Sequence, residues 1–194
     1  MPEKRVKFKT IFISDEVPNH KGIEELKNWC NQFHKNNLTI PREGASTGNL
    51  SFRTEDGFII TATSLKTKEN LSNDSFVYLD NYDVYNNTFY AEGKLEPSSE
   101  SIMHFLIYNT RGDINAIFHG HDNSIVKKAE KLKLPVTEEE QPPGTMEVAN
   151  EVLSILGNNN FVVIKNGGFV SIGRTMKEAG ELALKIQKKA SSLK

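Results

Sequence analysis

Apolar residues in this chain switch repeatedly between the three- and four-residue spacing of a helix and the alternate spacing of a strand. Residues 23–33 carry a helical apolar stripe, and we expect this helix to end near Asn36-Asn37. Residues 49–63 alternate on both sides of Asp56-Gly57, a pair suited to the positive φ values of a tight hairpin turn. The sequence therefore predicts antiparallel strands that follow a helix.

The rest of the chain continues this mixed order. Strands are expected over 76–80, from Val84 to Gly93, and over 115–121, 161–165 and 169–173. Helices are expected from Ser98, from Asp122 through residues 123–132, from Thr145 through Leu156, and from Thr175 to about Ala190. Because no repeat or linker interrupts this order, the sequence predicts one α/β domain, residues 1–194, with a largely antiparallel sheet.

Charge and composition exclude several classes of partner. The formal net charge is −1, so the chain has no excess positive charge for nucleic acid or an anionic membrane. Its single cysteine, Cys30, cannot form an internal disulfide, and the opening MPEKRVKFKT lacks the apolar core of a signal peptide. No apolar run reaches the roughly 18 residues of a spanning helix. We therefore expect a cytoplasmic protein with no nucleic-acid or membrane partner.

A first candidate site lies in the segment GASTGNLSF, residues 44–52. Backbone amides freed by Gly44 and Gly48, together with the Asn49 side chain, are able to cradle an anion. The alternative interpretation is a plain turn before a strand, which glycine and small hydroxyl residues also favour. Local features alone leave both interpretations open.

A second candidate site is the triplet Ser98-Ser99-Glu100 at an expected helix start. Free amides and the helix dipole favour a negative ligand there, and both hydroxyls are able to donate hydrogen bonds to it. The alternative is an ordinary N-cap followed by an acidic residue in the first turn. The triplet therefore predicts either an anion site or a helix cap.

A third candidate site is the pair His119 and His121, which ends an apolar strand. Alternation along a strand sends both imidazoles to the same face, where they are able to share one cation. A polar strand end is the alternative, because two histidines are fewer than the three protein ligands usual for catalytic zinc. His104, four residues after Glu100, is either a second-shell or substitute ligand or a buried core histidine.

Taken together, six short blocks resemble the class II aldolase/adducin family, which includes fuculose-phosphate aldolases, ribulose-phosphate 4-epimerases and the non-enzymatic adducin heads. The blocks are GNLSFR at 48–53, ITATS at 60–64, PSSE at 97–100, HGH at 119–121, PPGTMEVA at 142–149 and IKNGGFVSIG at 164–173. Their order and spacing carry the resemblance. It implies a class II aldolase-like α/β fold, in which a central, mostly antiparallel sheet is covered by helices on both sides.

The resemblance also implies a role for each matching residue. Glu100 becomes the general acid/base, and His119 and His121 become ligands of a divalent metal, zinc, which in the family stabilises an enediolate of the substrate. The implied phosphate-binding residues are Gly48, Asn49, Thr63, Ser64, Ser98 and Ser99. A small phosphorylated substrate and a homo-oligomer, a tetramer with active sites between subunits, are implied as partners.

Three departures from the family pattern weaken these expectations. Gly167 stands where the family has the third metal-binding histidine, so we expect the metal to be weakly bound or absent. Ser64 replaces a usual glycine, and it either narrows the phosphate pocket or adds a hydroxyl donor to it. No tyrosine follows His121 to match the proton donor of the family's aldolases. Aldol cleavage by that route is therefore in question.

Two functions remain open on the sequence. The first is a lyase-like enzyme that acts on a small phosphorylated sugar or keto compound by aldol cleavage, dehydration or epimerisation. Retention of Glu100 together with His119 and His121 favours it. The second is a non-catalytic, adducin-like ligand-binding or assembly module that has lost metal catalysis, which Gly167 favours. Metal content after purification without chelators discriminates between them.

Overall fold

A sheet of eight strands forms the centre of the structure, a computed structural model that describes residues 7–42 and 44–193. Pro41–Arg42 and Ala45–Ser46 form a second, two-stranded sheet, and Asn73–Ser75 form a 3-10 helix. The elements in chain order are β1 (Lys9–Ser14), α1 (Ile23–Lys35), β2 (Pro41–Arg42), β3 (Ala45–Ser46), β4 (Asn49–Arg53), β5 (Phe58–Thr61), β6 (Phe76–Asp83), β7 (Thr88–Glu92), α2 (Ser101–Thr110), β8 (Ala116–Gly120), α3 (Asn123–Lys128), α4 (Met146–Leu156), β9 (Phe161–Ile164), β10 (Gly168–Gly173) and α5 (Met176–Ser192).

The large sheet is mostly antiparallel, as expected. Its strand order is β1-β7-β6-β5-β4-β8-β10-β9, and β1 pairs with β7 in parallel whereas the other neighbours are antiparallel. The central strands β4 and β8 pair with each other although they are far apart in the sequence. Helices and strands that are distant in the chain therefore meet at the middle of the sheet.

Helices cover both faces of the sheet, and each face has its own apolar core. On one face, α2 and α4 pack against residues such as Ile60, Ile117 and Val170. On the other face, α1, α3 and α5 pack against residues such as Leu50 and Phe118. Neighbouring residues of one strand belong to different cores because side chains alternate across a sheet. In the part of the chain that the structure describes, no helix is long and apolar enough to cross a membrane.

Three of the expected N-caps are present, whereas α2, expected to start at Ser98, has no side-chain cap. The Asp122 carboxylate accepts hydrogen bonds from the backbone N–H groups of Ser124 and Ile125 at 2.7 and 3.0 Å. The Thr145 and Thr175 hydroxyls each accept one from the residue three positions later. These bonds satisfy N–H groups that have no partner within the helix, which is why such residues mark helix starts.

Several element boundaries differ from the expectation. The strand expected from Val84 begins only at Thr88, because Asp83 accepts hydrogen bonds from Asn86 and closes a turn. Helix α3 ends at Lys128 rather than at residue 132. The strand β1, which pairs with β7, was not expected at all. Its pairing partner lies far along the chain, so no local pattern indicates it.

The hairpin between β4 and β5 is confirmed, but its turn is not the one expected. Neither Asp56 nor Gly57 has a positive φ. Instead, Thr54 closes the loop: its backbone N–H donates to the Gly57 carbonyl at 2.9 Å, and its hydroxyl accepts from the Gly57 N–H at 3.1 Å. This four-residue connection does not need the left-handed backbone of a two-residue turn.

The strand register places the candidate residues at one end of the sheet. Asn49, the first residue of β4, lies directly opposite His119 on β8. On the other side of β8, Gly168 approaches so closely that an added Cβ would lie 2.3 Å from the Gly120 carbonyl oxygen, and its φ of +94° is left-handed. Glycine at position 168 therefore lets β10 begin beside the two histidines.

We expect Gly168→Ala to lower the free energy of unfolding by about 2–4 kcal/mol, since it combines a left-handed backbone with a steric overlap. Gly112→Ala is the matched control, because an added Cβ there meets no atom within 4 Å and the backbone is not left-handed. Urea unfolding of both variants measures the difference. Equal unfolding midpoints would show that β10 can shift at no cost.

Candidate active site

Glu100 is the acidic centre of the candidate site. It precedes α2, which begins at Ser101 rather than at Ser98 as expected. One carboxylate oxygen, Oε2, accepts a hydrogen bond from the Asn49 side-chain amide at 2.6 Å and lies 3.2 Å from Nε2 of His119. The side chain is buried at 9% exposure. The Asn49 amide of β4 therefore holds this carboxylate close to His119 of β8.

The expected phosphate segments meet beside this carboxylate. Ala62 pairs with Pro97 in an antiparallel bridge, and the backbone N–H of Thr63 donates to the Glu96 carbonyl at 2.9 Å. Residues 62–63 therefore lie beside residues 96–97, directly before the Ser98-Ser99 turn. The Ser98 hydroxyl accepts the Glu100 backbone N–H at 3.3 Å, and Ser98 is buried whereas Ser99 is partly exposed.

Three of the expected phosphate-binding residues have other structural constraints. Both polar atoms of the Asn49 side chain are already engaged, by Glu100 and by His104, so this side chain orients the site rather than forming an open cradle. Ser64 adopts a left-handed backbone with φ of 56°, which is the conformation that glycine prefers. At Gly48, φ is +74° and an added Cβ would lie 2.7 Å from the His119 carbonyl oxygen.

His119 and His121 point toward each other, as expected for alternate residues at a strand end. Their Nε2 atoms are 3.0 Å apart. The other ring nitrogen of His119, Nδ1, lies 2.9 Å from the Phe169 carbonyl oxygen and must donate its hydrogen there. In a neutral imidazole this leaves the Nε2 lone pair facing His121 and Glu100. Metal-binding histidines commonly have such a carbonyl partner behind them.

Burial controls the charges of these groups. It lowers the pKa of His119 to about 4, although the Phe169 carbonyl opposes the shift, so this imidazole is neutral at pH 7. Burial raises the pKa of Glu100, while His121, the Asn49 amide and Lys68 act in the opposite direction. Nearby donors and positive charge therefore compensate the desolvation of this buried carboxylate only in part.

Residue 167, where the resemblance implies the third metal-binding histidine, is glycine and supplies no donor side chain. Among residues 7–42 and 44–193, no group of three or more His, Cys, Asp and Glu side chains is arranged to hold a metal ion. The tautomer of His119 and its distance from His121 suit a shared cation. The donor set thus fits a divalent metal with two imidazoles, which is fewer than the usual three protein ligands.

A buried chain of hydrogen bonds runs from Glu100 along α2. Since the Asn49 amide donates to Glu100, its oxygen must accept from Nε2–H of His104, 2.6 Å away. Burial lowers the pKa of His104 to about 3, so the ring is neutral and Nδ1 accepts from the Ser51 hydroxyl at 2.7 Å. Ser51 in turn accepts from the Tyr108 hydroxyl at 2.8 Å.

These hydrogen bonds bear on whether His104 is a metal ligand or an orienting residue. Both ring nitrogens already have partners, so binding a metal through His104 would require one of these bonds to break. Glu100, which precedes α2, and His104 both contact Asn49, so the two face the same side, as their four-residue spacing predicts. The geometry favours a role for His104 in orienting Asn49, and through it Glu100.

Three residues near the site were missed by the sequence reasoning. Ser51 and Tyr108 complete the buried chain, and the alternation of β4, which puts residue 51 on the same face as residue 49, was the available signal. Lys68 is buried at 2% exposure and interacts electrostatically with Glu100. No local signal indicates it, because a lysine in a polar loop is usually solvent-exposed.

The sequence is similar to a known protein family and to several named enzymes. The family model for the class II aldolase and adducin N-terminal domain matches residues 24–192. The L-fuculose phosphate aldolase of Methanococcus maripaludis is 30% identical over 152 residues, which cover 69% of this chain and 77% of the relative. The methylthioribulose-1-phosphate dehydratase of Citrobacter koseri is 32% identical over 91 residues, which cover 47% and 42% of the two chains.

A solved structure shows the same fold. An L-fuculose 1-phosphate aldolase superimposes with a TM-score of 0.74 at 23% identity, covering 90% of this chain and 85% of that one. The expected class II aldolase-like fold, with helices on both sides of a mostly antiparallel sheet, is confirmed. Because the family model matches most of the sequence, this chain belongs to the class II aldolase and adducin N-terminal domain family.

Proposed function

We propose that this protein is a sugar-phosphate lyase of the class II aldolase type, acting on a small phosphorylated sugar or keto compound. The observation that carries the proposal is the contact of Glu100 with Asn49 and His119, which holds a buried carboxylate beside a neutral imidazole. Relatives named as an aldolase and as a dehydratase of phosphorylated sugars support the reaction class.

The chemistry of the site follows from the position of Glu100. Its carboxylate is able to accept a proton from a carbon next to a ketone and to return it, which forms and then consumes an enediolate. The amide of Asn49 keeps one oxygen, Oε2, oriented during both transfers. Dehydration begins with such a proton removal, whereas aldol cleavage ends with the protonation of the enediolate that C–C bond breaking leaves, and we propose that epimerisation passes through an enediolate as well. The shape of the surrounding loops selects among these reactions.

His119 and His121 are the residues that would hold a divalent cation, zinc in our proposal, which when bound polarises the ketone oxygen of the substrate as a Lewis acid. The Phe169 carbonyl fixes the ring of His119 so that Nε2 faces the site. The Ser98-Ser99 turn directly precedes Glu100, and residues 62–63 pair with residues 96–97 just before that turn. We infer that the phosphate group binds there.

A second function, a non-catalytic adducin-like binding module, is favoured by one observation. Gly167 supplies no imidazole, so the chain has two of the three usual histidine donors. Such a module would still bind a phosphorylated ligand through the serine turn. Turnover therefore separates the two functions, whereas phosphate binding alone does not.

Glu100→Gln is expected to lower turnover by about 10²- to 10⁴-fold, because glutamine keeps the shape of the side chain and cannot transfer the proton. The measurement is a screen of aldol cleavage and dehydration on phosphorylated ketoses, with the metal content of the enzyme determined by elemental analysis. Glu55→Gln, on the exposed hairpin turn, is the control for loss of one carboxylate. Activity that is equal in all three proteins would rule out Glu100 as the acid/base.

Ser99→Asp is expected to abolish protection of the protein by phosphate against thermal unfolding, because a carboxylate in the serine turn repels the anion. Phosphate that binds the native state raises the melting temperature in proportion to the logarithm of its concentration. Ser154→Asp, on the exposed side of α4, introduces the same charge away from the turn. If phosphate protects both variants equally, it binds elsewhere.

Gly167→His is expected to tighten zinc binding by on the order of tenfold or more, because it restores a third imidazole. The backbone at position 167 is not left-handed, although an added Cβ would lie 2.5 Å from a methyl carbon of Ile164. The double variant with Ile164→Ala relieves this contact, and Gly167→Ala controls for the added Cβ. Titration calorimetry with zinc decides the matter: stoichiometric, tight binding by the unmodified chain would reveal an additional donor.

A further inference from the structure

Lys68 is a buried cation close to the candidate active site. In the portion of the chain that the structure describes, it is the only lysine or arginine in the buried class, with 2% of its surface exposed. It lies in the connection between β5 and β6, four residues after Ser64. Burying an ammonium group without a partner costs several kcal/mol, so a lysine in this position needs a physical explanation.

Other groups of the protein compensate the positive charge of Lys68 only in part. The Nζ atom donates one long hydrogen bond, of 3.4 Å, to the Ser46 carbonyl oxygen. An ammonium group has three N–H donors, and no other described residue accepts from Lys68. Burial is the main reason that its pKa is lowered, to about 8, so the group remains mostly protonated at pH 7. Two donors of a charged group are thus available to a ligand.

The buried acids near Lys68 do not neutralise it by direct contact. Cys30 remains a neutral thiol, because burial raises its pKa to about 12. Glu100 interacts with Lys68 electrostatically, but the described residues contain no ion pair between them. The ammonium group therefore lies near the carboxylate without forming an ion pair with it.

The expected phosphate-binding residues offer hydrogen-bond donors but no positive charge. All of them are uncharged: Gly48, Asn49, Thr63, Ser64, Ser98 and Ser99. A phosphate group carries about −1.5 to −2 charges at pH 7, and neutral hydroxyls and amides supply no full positive charge against it. Lys68 follows Thr63 and Ser64 in the same loop, and its hydrogen bond to Ser46 places Nζ beside the segment that leads to Gly48.

We propose that Lys68 supplies the positive charge that binds the phosphate group of the substrate, through the N–H donors that the protein leaves available. This role rests on the proposed function, since it requires a phosphorylated substrate. Lys68 thereby links the two segments of the proposed phosphate site, since it follows 63–64 in the same loop and contacts Ser46. The desolvation cost of burying its ammonium group is offset when the anion binds.

Titration calorimetry with inorganic phosphate tests this role. Lys68→Met is expected to weaken phosphate binding at least tenfold, while its melting temperature without phosphate stays equal or rises because an apolar side chain replaces a buried charge. Lys66→Met is the matched control, since Lys66 is exposed in the same loop, and its phosphate affinity is expected to stay within twofold of the unmodified chain. A merely structural lysine would give the reverse: a lower melting temperature with unchanged affinity.

Other outcomes separate this proposal from the proposed function. If Ser99→Asp abolishes phosphate binding while Lys68→Met retains it, the role of Lys68 is overturned and the phosphate site stands. If the unmodified chain binds no phosphate, both fail. Should Lys68→Met not fold, Lys68→Gln and the charge-retaining Lys68→Arg replace it. Weaker phosphate binding by Lys68→Gln than by Lys68→Arg supports the role, and equal binding overturns it.

Discussion

The antiparallel register of β4 and β8 is the constraint on which the site depends. It sets Asn49 opposite His119, so that the amide of one and the imidazole of the other reach the same carboxylate oxygen of Glu100. A shift of one residue would turn Asn49 toward the opposite core and remove the amide from Glu100, because side chains alternate across a sheet. The close approach of Gly48 and Gly168 to β8 belongs to the same arrangement.

A chain of hydrogen bonds that leads to Asn49 fixes which atom of its side-chain amide faces Glu100. From Tyr108 through Ser51 and His104, each group donates to the next, and the last donor faces Glu100. Every member is buried, so loss of one leaves a neighbour unsatisfied at a cost of about 1–3 kcal/mol. The chain therefore has two roles, since it stabilises the packing of α2 on the sheet and orients the carboxylate.

Two groups of side chains surround Glu100. His119 and His121 bring two imidazole rings to it, and Gly167 supplies no third imidazole. Lys68 is a buried ammonium group, mostly protonated at pH 7, that interacts electrostatically with Glu100 and with His119. In our proposal the imidazoles serve the carbonyl end of a phosphorylated keto compound and Lys68 serves its phosphate end.

Local patterns in the sequence determined much of the fold and indicated the candidate site residues. Apolar spacing located α1, α4 and α5, the caps at Asp122, Thr145 and Thr175 were read correctly, and the short motifs indicated Glu100, His119 and His121. These features depend on residues close together in the chain, where spacing and side-chain chemistry are sufficient.

Only the tertiary structure decided how these groups contact one another. Asn49 is separated from Glu100 by 51 positions in the chain, and Ser51 from His104 by 53. The strand β1 depends on pairing with β7, and Lys68 is buried although its neighbours Lys66 and Glu69 are exposed. Each of these features arises when distant segments pack together and exclude water, and the surroundings of a residue in the folded chain are not encoded by its immediate neighbours in the sequence.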